Sequence, residues 1–323
     1  MPSRRVAISL GDPCGIGPEI VARALAARPE ADVIVYGDVG VLARAAGAAG
    51  VPAPAADRVR AVTALSPGDV PPGKPNDEAG RAQLAYLAAA TTAALAGEVA
   101  GLVTAPISKQ WIARAGFPFP GHTEYLASRA NVGAGEFAMM LAGPRLRVTV
   151  ATTHVPLRDV ASLLTADGIA ATIWLTVDAL SRRFGIAAPR VAVAGLNPHA
   201  GEAGRFGDEE ERLVRPAIES ARARVAAAGG RAEISGPHVP DVVFREAASG
   251  RFDAVVALYH DQGLIPLKLL HFDEGVNVTL GLPFVRTSPD HGTAYDIAGS
   301  GRARPESFLA AFDLAARLVG SKL

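Results

Sequence analysis

The stretch of the chain richest in chemically capable side chains runs from Tyr259 to Gly299. Its His, Asp, Lys, Asn and Arg residues stand between glycines at a spacing that fits neither a helix nor a strand, which favours loops at the ends of a rigid scaffold. Lys268, Asn277 and Arg286 suit a phosphate or carboxylate, which arginine can bind through two parallel hydrogen bonds. The sequence therefore predicts an anion-binding site in this stretch.

Three histidines, His154, His199 and His260, each follow an apolar segment of strand type. If these strands share a sheet, their ends converge, and three imidazoles with an open coordination position make a catalytic metal site. Such a metal acts as a Lewis acid on a hydroxyl or carbonyl oxygen. Taken singly, each histidine is more often a structural or hydrogen-bonding residue, and their long separations match no short metal motif. His122 and His291 compete for the same role.

The elements that must position these residues alternate between strand and helix patterns, which is typical of an α/β fold. Strands are predicted at Val6–Leu10, Ala31–Tyr36, Gly101–Thr104, Met139–Leu141, Leu146–Thr152, Arg190–Ala194 and Ala254–Leu258. Helices are predicted at Ile20–Ala27, Val39–Ala46, Glu78–Ala96, residues 168–184, residues 208–228 and Pro305–Leu318. The helix from Asp208 begins with acids, which the helix dipole favours.

Two polar segments leave alternatives open. The turn GDPCGIGPE between the first strand and its helix fits an anion cradle, but a tight structural turn fits at least as well. Ser108 and Lys109 follow the strand Gly101–Thr104, where open α/β sheets bind ligands. The alternative, which fits equally well, is that Ser108 caps the next helix and that Lys109 is an ordinary solvated side chain.

Composition limits the class of protein. A chain of 323 residues is long enough for two domains, and its balance of 32 basic and 32 acidic residues argues against broad binding to nucleic acid or an anionic membrane. Cys14 is the only cysteine, so no internal disulfide forms and a reducing compartment is expected. No apolar run reaches the ~20 residues of a membrane span. We expect a soluble cytoplasmic protein.

Seven segments together resemble the 4-hydroxythreonine-4-phosphate dehydrogenase family of vitamin B6 biosynthesis: GDPCGIGPE, TAPISK, GHTEYLA, TTHVPLRD, LNPHAGE, YHDQGLIPLK and GVNVTLGLPFVRTSPDHGTAYDIAG. The resemblance implies a two-lobed α/β/α subunit, similar to isocitrate and isopropylmalate dehydrogenases, with an active-site cleft between the lobes. The expected lobes are a nucleotide-binding lobe of residues 1–130 plus 287–323 and a metal, substrate and dimerisation lobe of residues 131–286. The resemblance also implies a homodimer with the active site at the interface between the two subunits.

The implied reaction is oxidation of 4-phosphooxy-L-threonine by NAD or NADP and decarboxylation to 3-amino-2-oxopropyl phosphate, with a divalent metal (Zn, Mg or Co). By the family pattern, the metal ligands are His154, His199 and His260, drawn from both subunits. The implied substrate contacts are His122, Thr123, Lys268, Asn277 and Arg286. The loop similar to the adenosine-side loop of the isocitrate dehydrogenase group supplies His291, Gly292, Thr293, Ala294 and Asp296.

Candidates for proton transfer are Asp241, Asp261 and Lys109. Asp241 and Asp261 could equally orient a ligating histidine, and Asp261 could simply cap a turn. Three other functions compete. The first is a related dehydrogenase of a 4-phosphorylated threonate or erythronate, which would share these residues. The others are a metal-independent acyl or phosphate transferase and a non-catalytic metabolite-binding protein.

Overall fold

The computed structural model describes residues 3–320, which divide into two compact units. Unit 1 contains the described residues up to Asn131 together with those from Leu282, and unit 2 contains Val132–Gly281. The lobes expected from sequence divided instead after residues 130 and 286. Strands alternate with helices in both units, so the predicted α/β class is confirmed.

Unit 1 is built on five parallel strands: β1 (Val6–Ser9), β2 (Val33–Gly37), β3 (Val59–Ala61), β4 (Gly101–Thr104) and β11 (Val285–Pro289). Their order is β3-β2-β1-β4-β11, so the last strand of the chain pairs beside β4. The helices are α1 (Gly17–Ala27), α2 (Val39–Ala49), α3 (Asp77–Leu95), α4 (Lys109–Arg114), α5 (His122–Arg129) and α11 (Glu306–Val319). A short 3-10 segment spans Ala56–Arg58.

Unit 2 has six strands: β5 (Ala138–Ala142), β6 (Arg147–Val150), β7 (Arg190–Ala194), β8 (Glu233–His238), β9 (Ala254–Ala257) and β10 (Val276–Leu280). Their order is β10-β5-β6-β9-β7-β8; β5 is antiparallel to both neighbours and the other pairs are parallel. The helices are α6 (Val160–Leu163), α7 (Ala166–Arg182), α8 (Arg215–Ala227), α9 (Pro240–Ala248) and α10 (His260–His271). Short 3-10 segments span Leu157–Asp159 and Pro198–Gly201, and a π-helical turn, Glu210–Val214, precedes α8.

The strands of unit 2 carry apolar side chains on both faces because helices cover both. Along β7, Val191 and Val193 join a buried cluster with α7 and α8. Ala192 and Ala194 point the other way, into a second cluster with α9 and α10. This alternation is the two-residue period of a strand. It makes unit 2 a three-layered helix–sheet–helix structure whose rigid strand ends can hold functional side chains.

The expectation that the functional stretch forms loops is wrong for most of its residues. His260, Asp261 and Lys268 lie on α10, Asn277 lies on β10 and Arg286 lies on β11. The helix was hidden by Gly263 and Pro266, which usually mark turns. Gly263 is required by packing, since a Cβ there would lie 2.5 Å from the side chain of Val148.

Among residues 3–320, no single helix is both long and apolar enough to cross a membrane. The helical segments Leu157–Leu163 and Ala166–Arg182 meet the length and composition criteria only as a pair, and this pair is bent by 94°. The second segment packs its apolar face into the core of unit 2.

Candidate active site

Two of the three histidines lie side by side in unit 2. β6 and β9 are adjacent and parallel, and their pairing continues past the strand ends with a hydrogen bond from Thr152 N to Leu258 O (3.2 Å). His154 and His260 therefore lie at the same edge of the sheet. Their ring centroids are 5.3 Å apart and the ring planes are tilted by 45°.

A cleft of about 190 Å³ lies against these two rings. Its lining mixes polar and apolar side chains: Thr153, His154, Val155, Leu157, Val160, Tyr259, His260 and Asp261. A small ligand with a polar reacting centre suits such a lining.

The orientation of the His260 ring is set by its neighbour in the first turn of α10. The Nδ1 atom of His260 lies 2.7 Å from Oδ1 of Asp261. A carboxylate that accepts a hydrogen bond from Nδ1–H leaves the lone pair on Nε2 free for a metal, and carboxylate–histidine–metal triads commonly use this arrangement. The geometry therefore favours an orienting role for Asp261 over that of a simple turn cap.

His199 does not line this cleft. It follows β7, is exposed, and lies on a loop with left-handed backbone angles (φ 54°, ψ 27°). Its ring faces Phe206, with a centroid separation of 6.2 Å. The chain therefore brings together two of the three predicted metal ligands and holds the third elsewhere in unit 2.

Within residues 3–320, no group of three or more His, Cys, Asp or Glu side chains is placed to hold a metal ion. The donor chemistry of the cleft nonetheless fits a divalent metal, because two imidazoles adjoin one another and one is oriented by a carboxylate. A complete three-histidine site needs one more imidazole from outside the cleft.

Asp241 and Asp261 border a second, larger groove. This groove of about 530 Å³ lies between α9 and α10 and is mostly apolar, lined among others by Phe244, Ile265 and Leu269. Asp261 lines both this groove and the histidine cleft. Asp261 is thus the only one of the two carboxylates beside the histidine pair.

Lys268 and Asn277 are the remaining predicted substrate contacts of unit 2. Lys268 is half-buried on α10, two turns after His260, and Asn277 is half-buried on β10. The Oδ1 atom of Asn277 is buried without a hydrogen-bond partner. Because such an atom normally finds a partner, it is suited to accept a hydrogen bond from a ligand.

Arg286 in unit 1 is a buried cation. Only 2% of its surface is exposed, and its Nη2 donates a hydrogen bond to Oγ1 of Thr104 on the neighbouring strand (2.7 Å). Burial lowers the pKa of Arg286 to about 10, with the carboxylate of Glu124 opposing the shift. The guanidinium remains charged at neutral pH, and a buried cation of this kind favours an anionic ligand.

His122 opens α5 close to this cation. Its Nε2 atom is buried without a hydrogen-bond partner. Burial, followed by the charges of Arg286 and Lys109, lowers the pKa of His122 well below its usual range. At neutral pH His122 is therefore uncharged and offers a hydrogen bond, while Arg286 supplies charge. Thr123 occupies the next position of the helix, whose N-terminus also favours anions.

Lys109 is exposed at the start of α4, and Ser108 caps that helix by accepting a hydrogen bond from Trp111 N (3.4 Å). The capping interpretation of Ser108 is confirmed. The positive charge of Lys109 contributes to lowering the pKa of His122.

The glycine-rich turn after β1 is a structural turn. Its N–H groups are already engaged: Asp12 N donates to Pro106 O (2.9 Å), Cys14 N to the Asp12 carboxylate (2.8 Å) and Ile16 N to Thr293 O (2.9 Å). Few donors remain for a phosphate, so the tight-turn alternative is the better one.

That turn supports the predicted cofactor loop. A Cβ on Gly15 would lie 3.0 Å from Thr293, and Tyr295 donates a hydrogen bond to the Asp12 carboxylate (2.6 Å). Burial raises the pKa of Asp12, against the lowering effect of the Tyr295 hydroxyl. His291, Gly292 and Asp296 are exposed on the same loop, whereas Thr293 and Ala294 are half-buried. The sequence analysis did not single out Asp12 or Tyr295, whose hydrogen bond joins this loop to the turn after β1.

Comparisons with known proteins extend over nearly the whole chain. A family profile described as pyridoxal phosphate biosynthetic protein PdxA matches residues 29–315. A 4-hydroxythreonine-4-phosphate dehydrogenase from Desulfosudis oleivorans is 52% identical over 332 aligned positions, covering 97% of this chain and 96% of the relative.

Solved structures of related proteins are similar to this chain over nearly its whole length. A 4-hydroxythreonine-4-phosphate dehydrogenase from Klebsiella pneumoniae superposes with a TM-score of 0.86 at 40% identity, covering 98% of each chain. A terephthalate 1,2-cis-dihydrodiol dehydrogenase from Burkholderia xenovorans superposes with a TM-score of 0.71 at 32% identity, covering 97% of each chain.

Proposed function

Since the chain belongs to the pyridoxal phosphate biosynthetic protein PdxA family, we propose that it is a 4-hydroxythreonine-4-phosphate dehydrogenase. It is an oxidoreductase of pyridoxal phosphate biosynthesis acting on a small phosphorylated substrate. The observation that carries this proposal is the 52% identity to a relative of that name over 97% of the chain.

The proposed reaction oxidises 4-phosphooxy-L-threonine and then decarboxylates it to 3-amino-2-oxopropyl phosphate. NAD or NADP would accept the hydride. The divalent metal (Zn, Mg or Co) would supply a Lewis acid for the oxygen on which negative charge develops in both steps.

In unit 2, the proposed metal ligands are His154, His199 and His260, with Asp261 fixing the His260 ring. Lys268 and Asn277 are proposed to hold the polar groups of the substrate, for which the buried Asn277 oxygen is suited. Asp261 is also the proposed proton acceptor, because it lines the cleft and 72% of its side chain is exposed for exchange with water. Asp241 remains a second candidate at the edge of the α9–α10 groove.

In unit 1, the phosphate group is proposed to bind at Arg286, with the neutral imidazole of His122 and the hydroxyl of Thr123 beside it. The buried guanidinium and the α5 N-terminus support this role. Lys109 adds positive potential. The residues from His291 to Ala294, with Asp296, are proposed to contact the nucleotide, on a loop fixed by Gly15 and Asp12.

An assay of the purified protein tests the reaction. With 4-phosphooxy-L-threonine we expect reduced nucleotide and carbon dioxide in equal amounts, with either NAD or NADP. Removing metal with a chelator should slow turnover by about 10³-fold, equivalent to several kcal/mol of lost stabilisation, and added metal should restore it. Turnover only with 4-phosphorylated threonate or erythronate would favour the related dehydrogenase. Full activity without metal would contradict the metal site.

We also propose that the enzyme is a homodimer formed through α10. Ile265 and Leu269 on this helix and Phe272 directly after it are 66%, 85% and 77% exposed. An exposed apolar surface of this kind usually marks an interface, and a two-fold axis would pair it with itself. A second copy also offers the imidazole that one cleft lacks, because His199 is exposed.

Replacing Leu269 by arginine is expected to dissociate the dimer, since two charged side chains would be brought into an apolar interface. Sedimentation velocity should show monomers, and metal content should fall. Leu95→Arg, on the exposed end of α3 in unit 1, is the matched control and should remain dimeric. A Leu269→Arg protein that is still dimeric would place the interface elsewhere.

A further inference from the structure

The loop that carries His199 holds an unusual backbone conformation. Non-glycine residues rarely adopt positive φ, yet four of the six that do so among residues 3–320 lie between His199 and Ala203. Their φ values are 54° at His199, 53° at Ala200, 42° at Glu202 and 55° at Ala203. Such a cluster persists only where surrounding contacts enforce it.

A buried carboxylate binds the segment that leads into this loop. Glu210 is 2% exposed, and its Oε1 accepts hydrogen bonds from the backbone N–H groups of Leu196 (2.8 Å) and Asn197 (2.7 Å). Its Oε2 accepts a further bond from the side-chain amide of Asn197 (3.1 Å), which also donates to Glu209 (2.8 Å). Glu210 thus anchors the segment that enters the His199 loop.

The glycines beside this carboxylate occupy positions where a larger residue would not fit. A Cβ on Gly201 would lie 2.7 Å from Oε2 of Glu210, and a Cβ on Gly195 would lie 3.2 Å from Oε1. The backbone at Gly195 and at Gly201 therefore lies directly against the carboxylate. Glu210 itself begins the π-helical turn before α8, a rare conformation that often accompanies functional sites.

The same loop is tied to the helix that carries His260. Gln262, which is 8% exposed, donates from Nε2 to Gly195 O (2.7 Å) and accepts at Oε1 from Leu258 N (2.7 Å). Gly195 is the first residue after β7, and Gln262 lies two residues after His260. The start of the His199 loop and the first turn of α10 are thus held as one piece.

We propose that Glu210 is a positioning residue for metal binding, which fixes the His199 loop in its left-handed conformation without touching the metal. This inference rests on the proposed role of His199 as a metal ligand. Removing the Glu210 charge frees the loop to relax, so that His199 must be reordered each time metal binds. Outer residues that orient ligands typically contribute 10- to 100-fold to metal affinity.

The test measures Co²⁺ affinity and the visible absorption of bound Co²⁺ in the full-length protein, together with the melting temperature without metal. Glu210→Gln is expected to weaken Co²⁺ binding about 10- to 100-fold, with activity recovering at saturating metal. Glu211→Gln is the matched control, because Glu211 is an exposed neighbour paired with Arg215, and it should bind Co²⁺ normally.

A second substitution separates loop positioning from general loss of structure. Glycine adopts positive φ without strain, so Ala200→Gly in the Glu210→Gln protein should restore part of the Co²⁺ affinity. Unchanged Co²⁺ affinity in Glu210→Gln would overturn the inference. If Glu210→Gln does not fold, Asn197→Ala decides, since it removes the side-chain donor and leaves the carboxylate; unaltered affinity there overturns the inference as well.

His199→Ala distinguishes this inference from the proposed function. Loss of Co²⁺ binding in His199→Ala but not in Glu210→Gln would reject the positioning role alone. Normal Co²⁺ binding in His199→Ala would reject the metal-ligand assignment, and the positioning role with it.

Discussion

His154→Ala is expected to abolish both metal retention and turnover. The substitution removes one of two adjacent imidazoles whose centroids are 5.3 Å apart, leaving His260 without its neighbour in the cleft. Loss of the Lewis acid should lower kcat by about 10³-fold or more. The fold should survive, because His154 is exposed at the end of a strand whose core residues are unchanged. Metal analysis of the purified variant and its turnover rate measure both effects.

The matched control is His238→Ala. His238 is the last residue of strand β8 in unit 2, but its ring packs on Phe252 (5.0 Å) and its Nε2 lies 2.9 Å from Oγ of Ser235, away from the cleft. This variant should keep its metal. A His154→Ala protein with wild-type metal content and rate would eliminate the cleft as the metal site.

Arg286→Ala is expected to raise KM for the phosphorylated substrate by about 10²-fold, equivalent to about 3 kcal/mol, with a smaller change in kcat. Arg286 is 2% exposed and its guanidinium is hydrogen-bonded to Thr104, so it is fixed before the substrate arrives. A fixed, desolvated cation binds a phosphate strongly because little ordering remains to be done. Steady-state kinetics across a wide substrate range separate the two parameters.

Two comparisons isolate the phosphate contribution of Arg286. Arg286→Lys retains the charge but loses the planar fork, and should fall between wild type and alanine. With the dephosphorylated analogue, wild type and Arg286→Ala should react at similar rates. An equal loss of rate with both substrates would mean that Arg286 does not bind the phosphate group.

Much of the scaffold could be predicted because its strands are short, apolar and bounded by turn residues. Gly101–Thr104 and Arg190–Ala194 were predicted with the bounds that the structure shows. β8, α9, β10 and β11 were missed. Their sequences are interrupted by glycine, proline and polar residues, whose effect on local structure is overridden by packing.

The candidate site could be predicted from the sequence only where the end of a strand determines the position of the side chain that follows it. His154 and His260 meet because they follow neighbouring parallel strands, and the strand-then-histidine pattern was visible in the sequence. His199 follows β7, which also pairs with β9, but the loop beyond it turns the ring elsewhere. That turn depends on Glu210, which in the sequence looked like an acid placed to suit a helix dipole. Its buried contacts to residues 196 and 197 cannot be deduced from spacing.

The placement of β11 in unit 1 has a consequence for biosynthesis. Unit 2 is a continuous segment, whereas unit 1 needs β11 and α11 from the end of the chain to complete its sheet beside β4. On the ribosome, the central segment can fold as soon as it emerges, while the part of unit 1 that precedes it keeps an open sheet edge until β11 has been translated. Loss of β11 and α11 therefore damages the unit whose other strands are synthesised before unit 2.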